Sequence, residues 1–172
     1  MNIMIVGVGG QGTLLASRIL GKVAIKEGYD VKVSEVHGMS QRGGSVVTYV
    51  KYGDKVYSPI IDRGEADLIL AFEMLEAMRA LPYLKKGGKM IANTQKMNPM
   101  PVITGAMEYP ENIEEKLSAK INLQAVDALS LAEKAGTIKA VNVVLIGLLA
   151  KSMDVDKNVW IDVIKETVPE KF

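Results

Sequence analysis

The sequence has no cysteine. Iron–sulfur clusters are held by cysteine thiolates, usually four per cluster, so this chain cannot ligate one. Disulfides, a thiolate nucleophile and Cys-rich zinc sites are excluded with it. There is a single histidine, His37, which is too few for an all-protein transition-metal site. Aromatic residues make up only 5% of the chain against 48% hydrophobic, so the core is built from Val, Ile, Leu, Met and Ala. That composition suits helices packed on a parallel sheet. Neither sign of charge dominates: 21 Lys+Arg stand against 20 Asp+Glu. A nucleic-acid binder carries a clear basic excess, so none is expected here. No apolar run approaches the roughly 20 residues of a membrane span, and none has the shape of a signal peptide. A cytoplasmic protein is the expectation.

What is present reads as one α/β domain over residues 1–172. Ile3–Val6 is a short apolar run ending at Gly7, which predicts a buried strand. From Thr13 to Glu27, apolar residues fall at Leu15, Ile19 and Val23 and at Ala16, Leu20 and Ala24, a helical spacing that Gly28 stops. Val31–Val36 alternates as a second strand, completing a βαβ unit with parallel strands. Ser45–Tyr52 is β-branched and aromatic; after the Gly53-Asp54 turn, Lys55–Tyr57 is placed antiparallel to it. Strands follow at Asp67–Phe72 and Lys89–Asn93, with Gly87-Gly88 as a turn. Helices are expected at Met74–Leu81, Asn112–Ala119, Ala125–Lys134, Ile138–Lys151 and Lys157–Val168, and a long proline-bearing loop at 95–110. The expected fold is therefore a Rossmann-like, three-layer α/β domain: a mostly parallel sheet with an antiparallel hairpin portion.

Two glycine-rich segments carry the chemistry. Gly7-Val8-Gly9-Gly10-Gln11-Gly12 has the G-x-G-x-x-G spacing, follows a strand and opens a helix. Such a turn offers free N–H groups to an anion, and Glu35 lies where a ribose-binding acid of a dinucleotide site would sit. The alternative is that these glycines only let helix and strand pack closely. His37-Gly38-Met39-Ser40-Gln41-Arg42-Gly43-Gly44-Ser45 holds an imidazole, two hydroxyls, a carboxamide and a guanidinium with little to anchor a core. Arg42 suits a carboxylate or phosphate, and His37 suits proton transfer near neutral pH. The bland reading is a surface loop whose polar groups satisfy one another. Glu73, Glu76 and Arg79 sit at helical spacing and read first as a solvated, salt-bridged face. Asn93 and Asn142 stand out as polar residues in apolar surroundings and need partners.

In order along the chain, GVGGQG, SEVHGMSQRGGSV, SPIIDRGEADLILAFEMLEAMR and GGKMIAN resemble the beta subunits of indolepyruvate:ferredoxin oxidoreductases. These belong to the gamma-domain family of pyruvate/2-oxoacid:ferredoxin oxidoreductases. The match runs from Asn2 to about Pro101 and more loosely through GTIKAVNVVLIGLLAK; the C-terminus is short against the family pattern. The resemblance implies a complex that oxidatively decarboxylates an aryl pyruvate with coenzyme A, giving an acyl-CoA, carbon dioxide and reduced ferredoxin. It implies that a large alpha subunit carries thiamine diphosphate and [4Fe–4S] clusters and delivers electrons to ferredoxin. This chain would bind no cofactor alone, would be inactive alone, and would help enclose the substrate and coenzyme A region, as one half of a heterodimer. By motif, the residues carried over are His37 and Arg42 as catalytic, and Gly7, Gly9, Gly10, Gln11, Gly12, Ser40, Gln41, Gly43 and Gly44 as cofactor- or substrate-binding. Two other readings stay open on the residues alone: a free-standing NAD- or FAD-dependent Rossmann enzyme, and a non-catalytic assembly module.

Overall fold

A strand buried on both faces must satisfy two cores at once, and the first strand does so. The computed structural model describes residues 1–38 and 43–168. In β1 (Asn2–Val8), Ile3 and Ile5 face one core while Met4 and Val6 face the other, as a period of two requires. Side chains of this kind contribute about 1.5–3 kcal/mol each when fully buried. Among the described residues, β1 belongs to a six-stranded sheet with β2 (Asp30–His37), β3 (Ser45–Gly53), β4 (Ala66–Ala71), β5 (Leu84–Asn93) and β6 (Asn122–Val126). The spatial order is β2-β3-β1-β4-β5-β6. Strands β1, β4, β5 and β6 pair in parallel, whereas β3 is antiparallel to both of its neighbours.

Helices cover both faces, so the fold class expected from the sequence holds. On one side α1 (Thr13–Lys26), α6 (Val141–Ala150) and α7 (Lys157–Thr167) pack on Ile3, Ile5, Leu70 and Ile91. On the other, α2 (Met74–Ala80) and α4 (Ile113–Ser118) pack on Met4, Val6, Ile69 and Met90. Two short helices complete the set, α3 (Met100–Ile103) in the proline-bearing loop and α5 (Ala128–Lys134). Helix α1 ends as expected: Gly28 has φ +86°, its N–H donates to the Ile25 carbonyl, and the Tyr29 N–H donates to Ala24. That is a Schellman stop, which favours glycine because of the positive φ.

Four local expectations are corrected. Strands β1 and β2 point the same way but are not neighbours, because β3 lies between them. The hairpin partner of Ser45–Tyr52 is therefore β2 and not Lys55–Tyr57, which forms no strand; Val56 is instead tied down by its N–H to Asp30 Oδ2 at 2.9 Å. Gly87-Gly88 lies inside β5, where the register against β4 shifts between Ala66 and Leu68, so the pair makes an irregularity in a longer strand. Residues 122–126 form β6, and the helix expected from Ala125 begins only at Ala128.

Candidate functional site

Strand β1 ends by turning over its own glycines, and the turn has little freedom. Gly7 is enclosed: a Cβ there would lie 2.9 Å from Gln11 Oε1 and 3.0 Å from both Phe72 Cβ and Thr13 Cγ2. Gly10 and Gly12 have φ of +101° and +88°, a region costly for other residues. Gly12 is the N-cap of α1 and offers no side-chain cap, and the first turn of α1 holds no acid. Gln11 turns inward. Its Oε1 accepts from the Val8 N–H at 2.8 Å, and its Nε2 donates to the Phe72 carbonyl at 3.1 Å and toward Gln95 Oε1 at 3.4 Å. Its amide is spent on the shape of the turn.

The second glycine segment closes onto the first. The Gly9 N–H donates to the Gly44 carbonyl at 2.9 Å, and the Gly43 N–H returns to the Gly9 carbonyl at 3.4 Å. Gly43 and Gly44, just ahead of β3, and the loop leaving β1 thus form one surface at the carboxyl end of β1, where open α/β sheets place ligands. His37, the last residue of β2, is exposed at the rim. Its Nδ1 lies 3.0 Å from the Gly38 carbonyl. A cleft of about 400 Å³ lies between Gly10, Gly12, Thr13, Glu35 and His37. Glu35 Oε2 accepts from the buried Thr48 Oγ1 at 3.4 Å. Ser40, Gln41 and Arg42, the remaining candidates of that loop, lie outside the described residues.

The N-cap and first turn of α2 hold two groups whose role the sequence concealed. Glu73 and Glu76 are only 1% and 4% exposed, so the solvated face expected for them is corrected: their carboxylates point into the protein. Glu73 caps α2 by accepting from the Glu76 N–H at 2.9 Å, and its Oε1 accepts from the Met97 N–H at 2.9 Å and the Tyr109 hydroxyl at 2.6 Å. Burial, reinforced by this bond to Glu73, pushes the Tyr109 phenol well above its usual range. Glu76 accepts from Ser45 Oγ at 2.5 Å and from Arg79 at 2.6 Å, with Arg79 itself half-exposed. One carboxylate therefore holds the proline-bearing loop and the other holds the start of β3, directly after Gly44. The position of Glu73 just ahead of a helix, where a side-chain oxygen can cap, is the signal that points to this. Asn93 is fully buried and satisfied: its Nδ2 donates to the Phe72 carbonyl and its Oδ1 accepts from the Ala128 N–H.

The chain belongs to the pyruvate ferredoxin/flavodoxin oxidoreductase family, whose pattern matches residues 2–172. Among curated proteins it is 48% identical over 155 residues to the indolepyruvate oxidoreductase subunit IorB of Pyrococcus horikoshii, covering 88% of this chain and 77% of that protein. Its fold is shared with the gamma subunit of a keto/oxoacid ferredoxin oxidoreductase from Geobacter sulfurreducens, with TM-score 0.72 and 24% identity over 99% of this chain and 88% of that one. It is shared also with part of 2-oxoglutarate:ferredoxin oxidoreductase from Magnetococcus marinus, solved with 2-oxoglutarate, coenzyme A and succinyl-CoA. There the TM-score is 0.73 and the identity 15%, over 100% of this chain and 27% of that one. The donor set of this chain does not fit an iron–sulfur cluster. It contains no cysteine, and the described residues hold no group of three or more His, Asp or Glu arranged for a metal. No helix among the described residues is long and apolar enough to cross a membrane.

Proposed function

We propose that this chain, as one gamma-type domain over residues 1–172, is the non-cluster subunit of a 2-oxoacid:ferredoxin oxidoreductase acting on indolepyruvate or a related aryl pyruvate. The partner is a large subunit bearing thiamine diphosphate and [4Fe–4S] clusters, which passes electrons to ferredoxin. The reaction converts the oxoacid and coenzyme A to an acyl-CoA and carbon dioxide. The identity with subunits of that name supports the substrate class. The observation that carries the role of this chain is the Gly9–Gly44 hydrogen bond, which joins both glycine loops into one wall.

The wall's work is binding, positioning and exclusion of water. Gly10, Gly12 and Gly43 have backbone shapes that side-chain-bearing residues avoid, and a Cβ at Gly10 or Gly43 meets no neighbour within 4 Å, so a ligand can approach the main chain closely. The N–H groups at the start of α1, which take no side-chain cap among the described residues, favour anionic oxygen. Arg42 is assigned to the substrate or coenzyme A anion, with Ser40 and Gln41 as hydrogen-bonding partners. His37 is assigned to proton transfer on the substrate side. Gly7, Gly9, Gln11 and Gly44 hold the wall's form. Holding the reacting groups in place and dry is a recognised share of catalysis even when the bond-breaking chemistry belongs to a cofactor elsewhere.

The test is reconstitution. Arg42→Ala in the assembled complex should raise the Michaelis constant for coenzyme A or oxoacid at least several-fold. Intact assembly with unchanged constants contradicts the assignment and favours a purely architectural subunit. Nicotinamide or flavin binding by the isolated chain at micromolar affinity would instead favour a free-standing Rossmann enzyme.

A further inference from the structure

The glycine turn has two sides, and they differ in charge. Toward β2 the described lining includes the carboxylate of Glu35. On the side of α6 lies a second cleft of about 380 Å³, lined by Gly10, Gly12, Gln95, Lys139 and Asn142 and bearing no acid among its described residues. Asn142, in the first turn of α6, is 8% exposed. The Val143 N–H donates to its Oδ1 at 2.8 Å, which fixes the amide so that Nδ2 faces the turn. A Cβ on Gly12 would lie only 2.7 Å from that Nδ2. Among the described residues no acceptor takes a hydrogen bond from Nδ2, and Asn142 lines the cleft, so this donor stays open to it rather than sealed in the core. The N-terminus of α1 comes to this cleft with no side-chain cap and no acid in its first turn, whereas α6 continues a 3-10 turn and its Val141 N–H donates to the Ile138 carbonyl. The dipole of α1 makes the cleft favourable to negative charge.

We propose that an anionic oxygen group of the substrate or co-substrate, a phosphate or a carboxylate, binds on the α6 side of the glycine turn, with Asn142 Nδ2 as a direct ligand donor beside the N–H groups opening α1. This rests on the reading of the chain as an oxoacid oxidoreductase subunit, and it names the face and a contact residue for that reading. Glycine at position 12 then has a second reason besides its φ: it keeps the Nδ2 group uncovered.

The experiment uses the full chain and the assembled complex. Wild type, Asn142→Asp and Asn142→Leu are titrated calorimetrically with inorganic pyrophosphate and with an aryl 2-oxoacid, and the Michaelis constants for coenzyme A and oxoacid are measured in the complex. N142D keeps an acceptor for the Val143 N–H but sets a negative charge over Gly12. It should weaken one probe and raise the matching Michaelis constant at least tenfold, with N142L giving a smaller loss in the same direction. Pyrophosphate with coenzyme A identifies a phosphate, and the oxoacid pair identifies a carboxylate. Constants within twofold of wild type for both variants overturn the proposal, as does Glu35→Gln alone shifting anion binding tenfold. A wild-type chain that binds neither probe, with constants unchanged by N142D in the complex, overturns it as well. Failure of any thiamine-bearing partner to restore activity defeats the reading of the subunit instead, and the calorimetry still decides the anion site.

Discussion

Ser45 Oγ donates to Glu76 Oε2 at 2.5 Å, and Ser45 is the residue that follows the Gly43-Gly44 end of the second glycine loop. The contact joins the exposed end of β3 to a carboxylate buried in the first turn of α2. A hydrogen bond to a charged group contributes about 1.5–3 kcal/mol. Ser45→Ala should destabilise the chain within that range. In a double-mutant cycle with Glu76→Gln, measured by urea unfolding, a coupling of at least about 0.5 kcal/mol is expected. A coupling of zero would mean that the contact does not hold the loop.

Glu73 is the more costly residue to lose. Three donors converge on it, from Glu76, Met97 and Tyr109. Tyr109→Phe removes one partner and should cost about 1 kcal/mol. Glu73→Ala strands all three and should cost about 3 kcal/mol or more. Chemical denaturation of both variants checks the order, and limited proteolysis should show the segment at 95–110 opening in Glu73→Ala. Equal costs would contradict a carboxylate that holds that loop.

The two positive-φ glycines of the first turn should respond differently to alanine. At Gly10 a Cβ meets nothing within 4 Å, so only the backbone conformation is strained, at about 1–3 kcal/mol. At Gly12 the same strain is joined by the 2.7 Å approach to Asn142 Nδ2. Gly12→Ala should therefore be the less stable of the two by thermal melting. The reverse order would show that the Asn142 amide does not press on this turn.

Alkaline stability should depend on Tyr52. Burial, with Tyr29 close by, raises its phenol from the ordinary value near 10 to about 12. Between those values the unfolded chain has released the proton and the folded chain retains it, so folding loses stability as pH rises through that window. Tyr52→Phe should flatten the stability profile from about pH 10 to 12 and leave the neutral region's slope unchanged. A profile identical to wild type would place the alkaline sensitivity elsewhere.

The parts of the fold legible in the sequence were those set by local pattern. Ile3–Val6, the period of α1 and the stop at Gly28 are written in nearest neighbours along the chain. Placing β3 between β1 and β2 is not, because Lys55–Tyr57 and β2 are equally plausible partners for Ser45–Tyr52 until the long-range register is known. Residues 122–126 lack a strong strand signal, and Ala125 runs smoothly into a helical sequence. At the site, the glycines were legible because φ and close approach restrict those positions to one residue type. Glu73 and Glu76 were misread because a carboxylate on a helix is ordinarily solvated; only the arrival of Ser45, Met97 and Tyr109 from distant segments makes burial tolerable. Asn142 stands out in the sequence by its polarity, but its neighbour across the turn, Gly12, is visible only in three dimensions.

The central claim is that this chain walls an active site whose cofactors belong to its partner. The direct measurement is coenzyme A-dependent viologen reduction with indolepyruvate, by the chain alone, by a co-purified thiamine- and cluster-bearing subunit alone, and by the two mixed. The account predicts a stable complex and activity that appears, or rises at least tenfold, only on mixing. Full activity of the large subunit without this chain, or turnover by this chain alone, would contradict it.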